Sequence, residues 1–168
     1  MGREIIVSLK RENRLEYEDF VCGRDDATNY IAQLVYNKVN EFKGDTDTLS
    51  DEEITKLYSL IYKLDLENEN LISKQIIEPL QEYKDKDYKE INKAKNELSA
   101  LDEARRHCGI YDEYMKFTNA MEQVQEWLDE EDYSRAGSIL DAIYKCREIV
   151  EQRGHSGYIY EIWITLSE

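Results

Sequence analysis

The chain has 168 residues, with 22 basic and 37 acidic side chains giving a net charge of −15. That length supports one real core, and that charge excludes general electrostatic binding to nucleic-acid phosphates or anionic membrane. Hydrophobic residues make up 41% and proline occurs once, which excludes a disordered chain, because disorder needs low hydrophobicity as well as high charge.

At the start, Glu4, Ile5, Ile6, Val7, Ser8 and Leu9 have the β-branched, apolar profile of a strand. No apolar h-region follows Met1, and Ile6 stands where a myristoylation signal needs Ser or Thr, so neither a secretory leader nor a lipid anchor is expected. The charged residues 10–14 predict a turn, and Leu15, Tyr17, Phe20, Val21 and Cys22 a second strand. Asp25 and Asp26 open a first helix, with Ala27, Tyr30, Ile31, Leu34, Val35, Val39 and Phe42 at three–four spacing and Gly44 to close it.

Ser50 with Glu53 three residues on forms a capping box for a second helix. Its apolar stripe is Ile54, Leu57, Tyr58, Ile61 and Leu64. A third helix is expected from about Asn70, with Leu71, Ile72, Ile76 and Leu80 on its apolar side. Pro79 removes a backbone donor and should kink or break it. Beyond it, Ile91, Ala94, Leu98 and Leu101 are spaced like a heptad seam. The seam is too short for a coiled coil and fits an antiparallel hairpin. Gly109 ends this stretch. A fourth helix carries Tyr111, Tyr114, Met115, Thr118, Met121, Val124, Trp127 and Leu128. A fifth carries Tyr133, Ala136, Ile139, Leu140, Ile143 and Val150, with Gly154 as its cap.

Residues 158–166 form the clearest strand: Tyr158, Tyr160, Ile162, Ile164 and Leu166 alternate onto one face, with Ile159 and Trp163 on the other. A lone strand leaves its backbone groups unpaired, so the two ends of the chain should meet in one sheet. The expected fold is α+β and predominantly α. About five helices pack on a small antiparallel sheet formed by the N- and C-terminal strands, as one domain over residues 1–168.

Catalytic patterns are missing. His107 sits at a helix end, where a cation is favoured. His155 lies in a loop without a neighbouring nucleophile. No zinc spacing, phosphate-binding loop or dinucleotide fingerprint can be drawn. Asp45, Asp47 and Asp51 match positions 1, 3 and 7 of a calcium loop, but Ser50 replaces its glycine and Lys56 its bidentate glutamate. The three cysteines, Cys22, Cys108 and Cys146, are far apart and odd in number, which points to free thiols in a reducing compartment, the cytoplasm. Cys108 and Cys146 fall near apolar helix positions and are expected to pack. No enzyme activity, cofactor or metal is expected.

Binding features remain. Thirteen tyrosines against three phenylalanines favour amphipathic faces, with Tyr36, Tyr62 and Tyr144 beside the helix stripes. Acid clusters fall at residues 16–19, 25–26, 45–53, 65–69 and 129–132. Carboxylates on alternate extended residues or four apart on a helix lie roughly 6–7 Å apart, near the spacing of phosphates on a strand. An acidic fold of this kind is similar in composition to small phage-type inhibitors that occupy a nucleic-acid groove. The expected function is a non-enzymatic acidic module that binds a protein with a basic surface, without direct nucleic-acid or membrane contact. The partner-binding residues are Asp45, Asp47, Asp51, Glu52 and Glu53, with Asp129, Glu130, Glu131 and Asp132. The alternative is an assembly protein that forms a homo-oligomer through tyrosine-rich helix faces.

Overall fold

In a computed structural model the chain is described over residues 3–42, 44–130, 135–154 and 157–167, side chains 66 and 67 excepted. Strands β1 (Arg3–Arg11) and β2 (Arg14–Gly23) form a hairpin. Its turn is only Glu12 and Asn13, both left-handed at φ 51° and 68°, the backbone that matches strand twist. The sequence assigned five residues to this turn. The strands reach further because charged stems lie on aromatic rings: Lys10 Nζ sits 3.5 Å from the Trp163 ring centre and the Arg11 guanidinium 4.6 Å from that of Tyr158. The unusual Glu12 backbone is held by residue 159, whose carbonyl accepts from Glu12 N at 3.0 Å.

β4 (Tyr160–Ser167) pairs antiparallel with β1, with Ile5 opposite Leu166, Val7 opposite Ile164 and Leu9 opposite Ile162. With a further strand, β3 (Ser59–Lys63), the order is β2-β1-β4-β3, so the two chain ends supply the central strands. One face of the sheet carries the fully buried Ile5, Val7, Leu9, Ile162 and Ile164. Helices α1 (Asp26–Glu41) and α6 (Arg135–Arg153) cover it with Ile31, Val35, Ile139 and Ile143. Tyr158 and Ile159, expected in the strand, precede it and stay exposed.

Residues 58–64 correct the sequence reading. α2 (Asp51–Leu57) stops after two turns, and the chain enters β3 (Ser59–Lys63) on the far side of β4. The helical stripe at 54, 57, 58 and 61 competes with alternation at 60 and 62, and the unpaired edge of β4 decides the contest. Leu60 then lies opposite Ile164, and Tyr62 opposite Ile162. Lys38 makes the abrupt switch tolerable: Nζ donates to the carbonyls of Lys56, in the last turn of α2, at 3.1 Å and of Ser59, the first residue of β3, at 2.6 Å, and so bridges the two elements. Burial pulls the Lys38 pKa down. Tyr62, expected beside the core, is within it, its phenol donating to Gln75 Oε1 at 2.8 Å while burial pushes its pKa up.

The third helix starts four residues earlier than read. Asp65 caps α3 (Leu66–Ile72) by accepting from Asn68 N at 2.8 Å. The disturbance expected at Pro79 is a wide i→i+5 turn at Ser73–Ile77, after which α4 runs over Glu78–Arg106. A wide turn absorbs the missing donor and the ring clash without ending the rod. Counting α3 through α4 as one rod, the described residues hold five helices and four strands, an α+β fold that is mainly α. The chain divides into two compact units. One is Met1–Lys84 with Ser134–Glu168, which contains the sheet; the other is Asp85–Tyr133, a hairpin of α4 residues and α5 (Tyr111–Asp129).

Candidate functional site

The acidic residues 45–53 run from the segment after α1 into the first turn of α2, which holds Asp51, Glu52 and Glu53. Asp45 accepts from Asp47 N at 2.9 Å and caps a short 3-10 turn at Thr46–Thr48. Ser50 Oγ accepts from Glu53 N at 3.3 Å, the N-cap half of the capping box read from sequence, and donates to Glu53 Oε1 at 3.0 Å, so the glutamate bonds the cap hydroxyl rather than the cap backbone N–H. These caps fix the backbone and leave the carboxylates of Asp47, Asp51 and Glu52 in water. All five acids of the set are exposed. None forms an ion pair among the described residues.

Of the second acidic set, Asp129 and Glu130 are exposed at the C-terminal end of α5. Asp129 Oδ1 accepts from Gln125 Nε2 at 2.9 Å. Glu131 and Asp132 lie outside the described residues, as do Tyr133, His155 and the Glu67 side chain. The two sets belong to different units.

The sequence reading of residues 91–101 as an antiparallel hairpin placed no binding residue on it. Leu98, Leu101, Phe117, Met121, Val124, Trp127 and Leu128 are all only half-buried. No residue of α5 is buried, and on α4 beyond residue 84 only Ala94 is, at 8% exposure. Ala94, Val124 and Trp127 floor an open groove of about 500 Å³, with Glu90, Lys93 and Glu97 on its rim. At the hairpin turn Ile110 and Tyr111 are exposed, and the Arg105 guanidinium lies 5.5 Å from the Tyr114 ring centre.

Other acids proved structural. Glu16, read as part of an exposed cluster, is the extra residue of a β-bulge between the pairs Leu9–Tyr17 and Lys10–Leu15. Its side chain is 12% exposed and bridges Arg11 at 2.9 Å and Arg153. The hydrogen bond from Arg153 holds its pKa below the ordinary carboxylate range against the opposing effect of burial, with the Arg11 charge assisting. A lowered pKa in the folded state gives stability that is present above the unfolded value of about 4.3 and lost as pH falls through the folded one. Glu16→Gln should therefore lower Tm at neutral pH, and the gap to the unaltered protein should close below about pH 4. A gap independent of pH in thermal melts would refute this role.

His107 Nε2 lies 2.9 Å from Glu103 Oε1 on the surface of α4's last turn. Cys146 is fully buried, and burial pushes its thiol up to about 12. Cys108 is half-buried and Cys22 exposed. Among the described residues no three His, Cys, Asp or Glu side chains gather closely enough to hold a metal ion. Among them, too, no helix is long and apolar enough to cross a membrane. No known protein family, curated protein or solved structure matches this chain.

Proposed function

We propose that this chain is a non-enzymatic acidic module that binds a protein with a basic surface in the cytoplasm, in the manner of an inhibitor that blocks a nucleic-acid groove. The observation that carries this reading is the set at residues 45–53. Its capping groups fix the backbone, while Asp47, Asp51 and Glu52 stay exposed and unpaired with any described cation. Fixed, solvated carboxylates of one sign steer a cationic partner and disfavour anionic ones, including nucleic acid and anionic lipid. The three free thiols fit a reducing compartment.

Reversing Asp47, Asp51 and Glu52 to lysine leaves the Asp45, Ser50 and Glu53 caps intact. Folding should change little, since exposed charges contribute about 0–1 kcal/mol each. Capture of basic proteins from cell lysate should fall at least tenfold at low salt, as steering is lost. Capture by the unaltered protein should weaken with salt and compete with DNA for the partner. Capture that ignores salt and charge reversal, or a partner that holds this chain and DNA together, would refute the reading.

A further inference from the structure

We propose that the hairpin unit Asp85–Tyr133 is where two copies of this chain associate, face to face, as a four-helix bundle. The inference stands apart from the acidic segment at 45–53 and uses a different surface. Two helices form one layer, and a helical layer is stable when a second covers its apolar stripe. Among the described residues this stripe is only half-buried: α5 has no buried residue, and the α4 stretch 85–106 has one, Ala94. The stripe is nevertheless apolar along its whole length, through Leu98, Leu101, Phe117, Met121, Val124 and Leu128.

Charge selects a second copy as the occupant. The groove rim carries both signs, Glu90 and Glu97 with Lys93, and a rim of mixed sign complements itself under a twofold axis where a uniformly basic partner would not. Charge also selects the axis. Residues 85–106 hold six basic and six acidic side chains, whereas α5 holds one basic and five acidic. A twofold parallel to the hairpin sets each α4 beside the α5 of the other copy. The perpendicular twofold sets α5 against α5, acid against acid, which is disfavoured. The face is also large enough. Nineteen residues of helix span about 28 Å, and two helices about 10 Å apart bury roughly 1,000 Å² across both copies, the lower bound for a specific interface.

Two chains of charge −15 repel, so this dimer should tighten as salt rises, opposite to a complex with a basic partner. Sedimentation equilibrium of the full chain from low to high micromolar concentration should show the mass rising from 19.9 kDa to twice that value, at lower concentration in high salt. Val124→Asp places a carboxylate on the seam twice in a symmetric dimer and should weaken it on the order of 100-fold. The second variant guards against misfolding. Lys93 lines the groove, and Glu126 lies one turn after Gln123 on the same side of α5. Lys93→Glu and Glu126→Lys should each weaken the dimer about fivefold, and the double exchange should restore it.

A monomer at every concentration, a dimer indifferent to both sets of changes, or one that loosens with salt would overturn the proposal. A dimer lost by Val124→Asp while salt-sensitive capture through residues 45–53 persists would support it and leave the other reading intact. The converse, a persistent dimer with no basic partner, would refute only the acidic-module reading.

Discussion

A chain lacking residues 158–168 should show no cooperative thermal transition and should aggregate. β4 lies between β1 and β3, so its loss divides the sheet and opens the inward edge of β1. Tyr160, Ile162, Ile164 and Leu166 are each at most 5% exposed. Each buried side chain of this size contributes about 1.5–3 kcal/mol. Four together reach roughly 6–12 kcal/mol, comparable with the whole stability of an ordinary domain, about 5–15 kcal/mol. The loss also uncovers Ile5, Val7 and Leu9, which pair with that strand, and an apolar unpaired edge is a template for aggregation. A milder change scales the effect: Ile164→Ala should lower stability by about 2–5 kcal/mol in urea melts. A truncated chain that melts like the intact one would show that the terminal strands do not hold the core.

The features legible in the sequence are those set by local chemistry. β1 announces itself by its β-branched, apolar run and β4 by alternation, and their pairing follows because neither can satisfy its backbone alone. The N-caps at Asp25 and Ser50, and Gly154 at φ 70° after α6, are read correctly because a cap is a matter of three or four residues. β3 was not legible. Its five residues fit either period, and the deciding partner, β4, is about a hundred residues away in sequence. Alternation puts Trp163 on the opposite face from Ile162 and Ile164 without saying what covers it; it is 3% exposed beneath the Lys10 ammonium. Its indole N–H has no hydrogen-bond partner, a buried donor for which the structure supplies no physical account.

The candidate site divides in the same way. Exposure of Asp45, Asp47, Asp51, Glu52 and Glu53 follows from their place at a turn and a helix start, where side chains project from capped backbone. The acids at 16 and 25 resemble them in sequence but are tied to Arg153 and to Arg135 N, partners 137 and 110 residues away. Charge runs therefore overcount a solvated surface wherever one acid finds a distant donor. The hairpin seam was legible as periodicity. The lack of a second layer over it was not, because periodicity marks an apolar face without saying what covers it.

Asp25→Ala should be the most damaging single change to a surface-facing charge, lowering stability by about 2–4 kcal/mol. One carboxylate serves two helix starts. Oδ1 accepts from Thr28 N at 3.0 Å and caps α1, while Oδ2 accepts from Arg135 N at 3.0 Å at the first turn of α6. The negative charge sits at the positive ends of both helix dipoles. Removing an N-cap costs about 1 kcal/mol, and a hydrogen bond to a charged group contributes about 1.5–3 kcal/mol. Those helices carry Ile31, Val35, Ile139 and Ile143 onto the sheet, so fraying either start loosens core packing. At roughly 2–4 °C per kcal/mol for a chain of this size, Tm should fall by about 5–15 °C. Asp25→Asn separates the two roles. Its amide oxygen caps α1 as well as a carboxylate does, but its NH2 group faces the Arg135 N–H as donor to donor. It should therefore fall between the unaltered protein and Asp25→Ala. Thermal melts of the three proteins decide the matter: Asp25→Asn matching the unaltered chain would show that the bond to Arg135 contributes nothing, and a shift under 2 °C for Asp25→Ala would remove Asp25 as the link between the two helices.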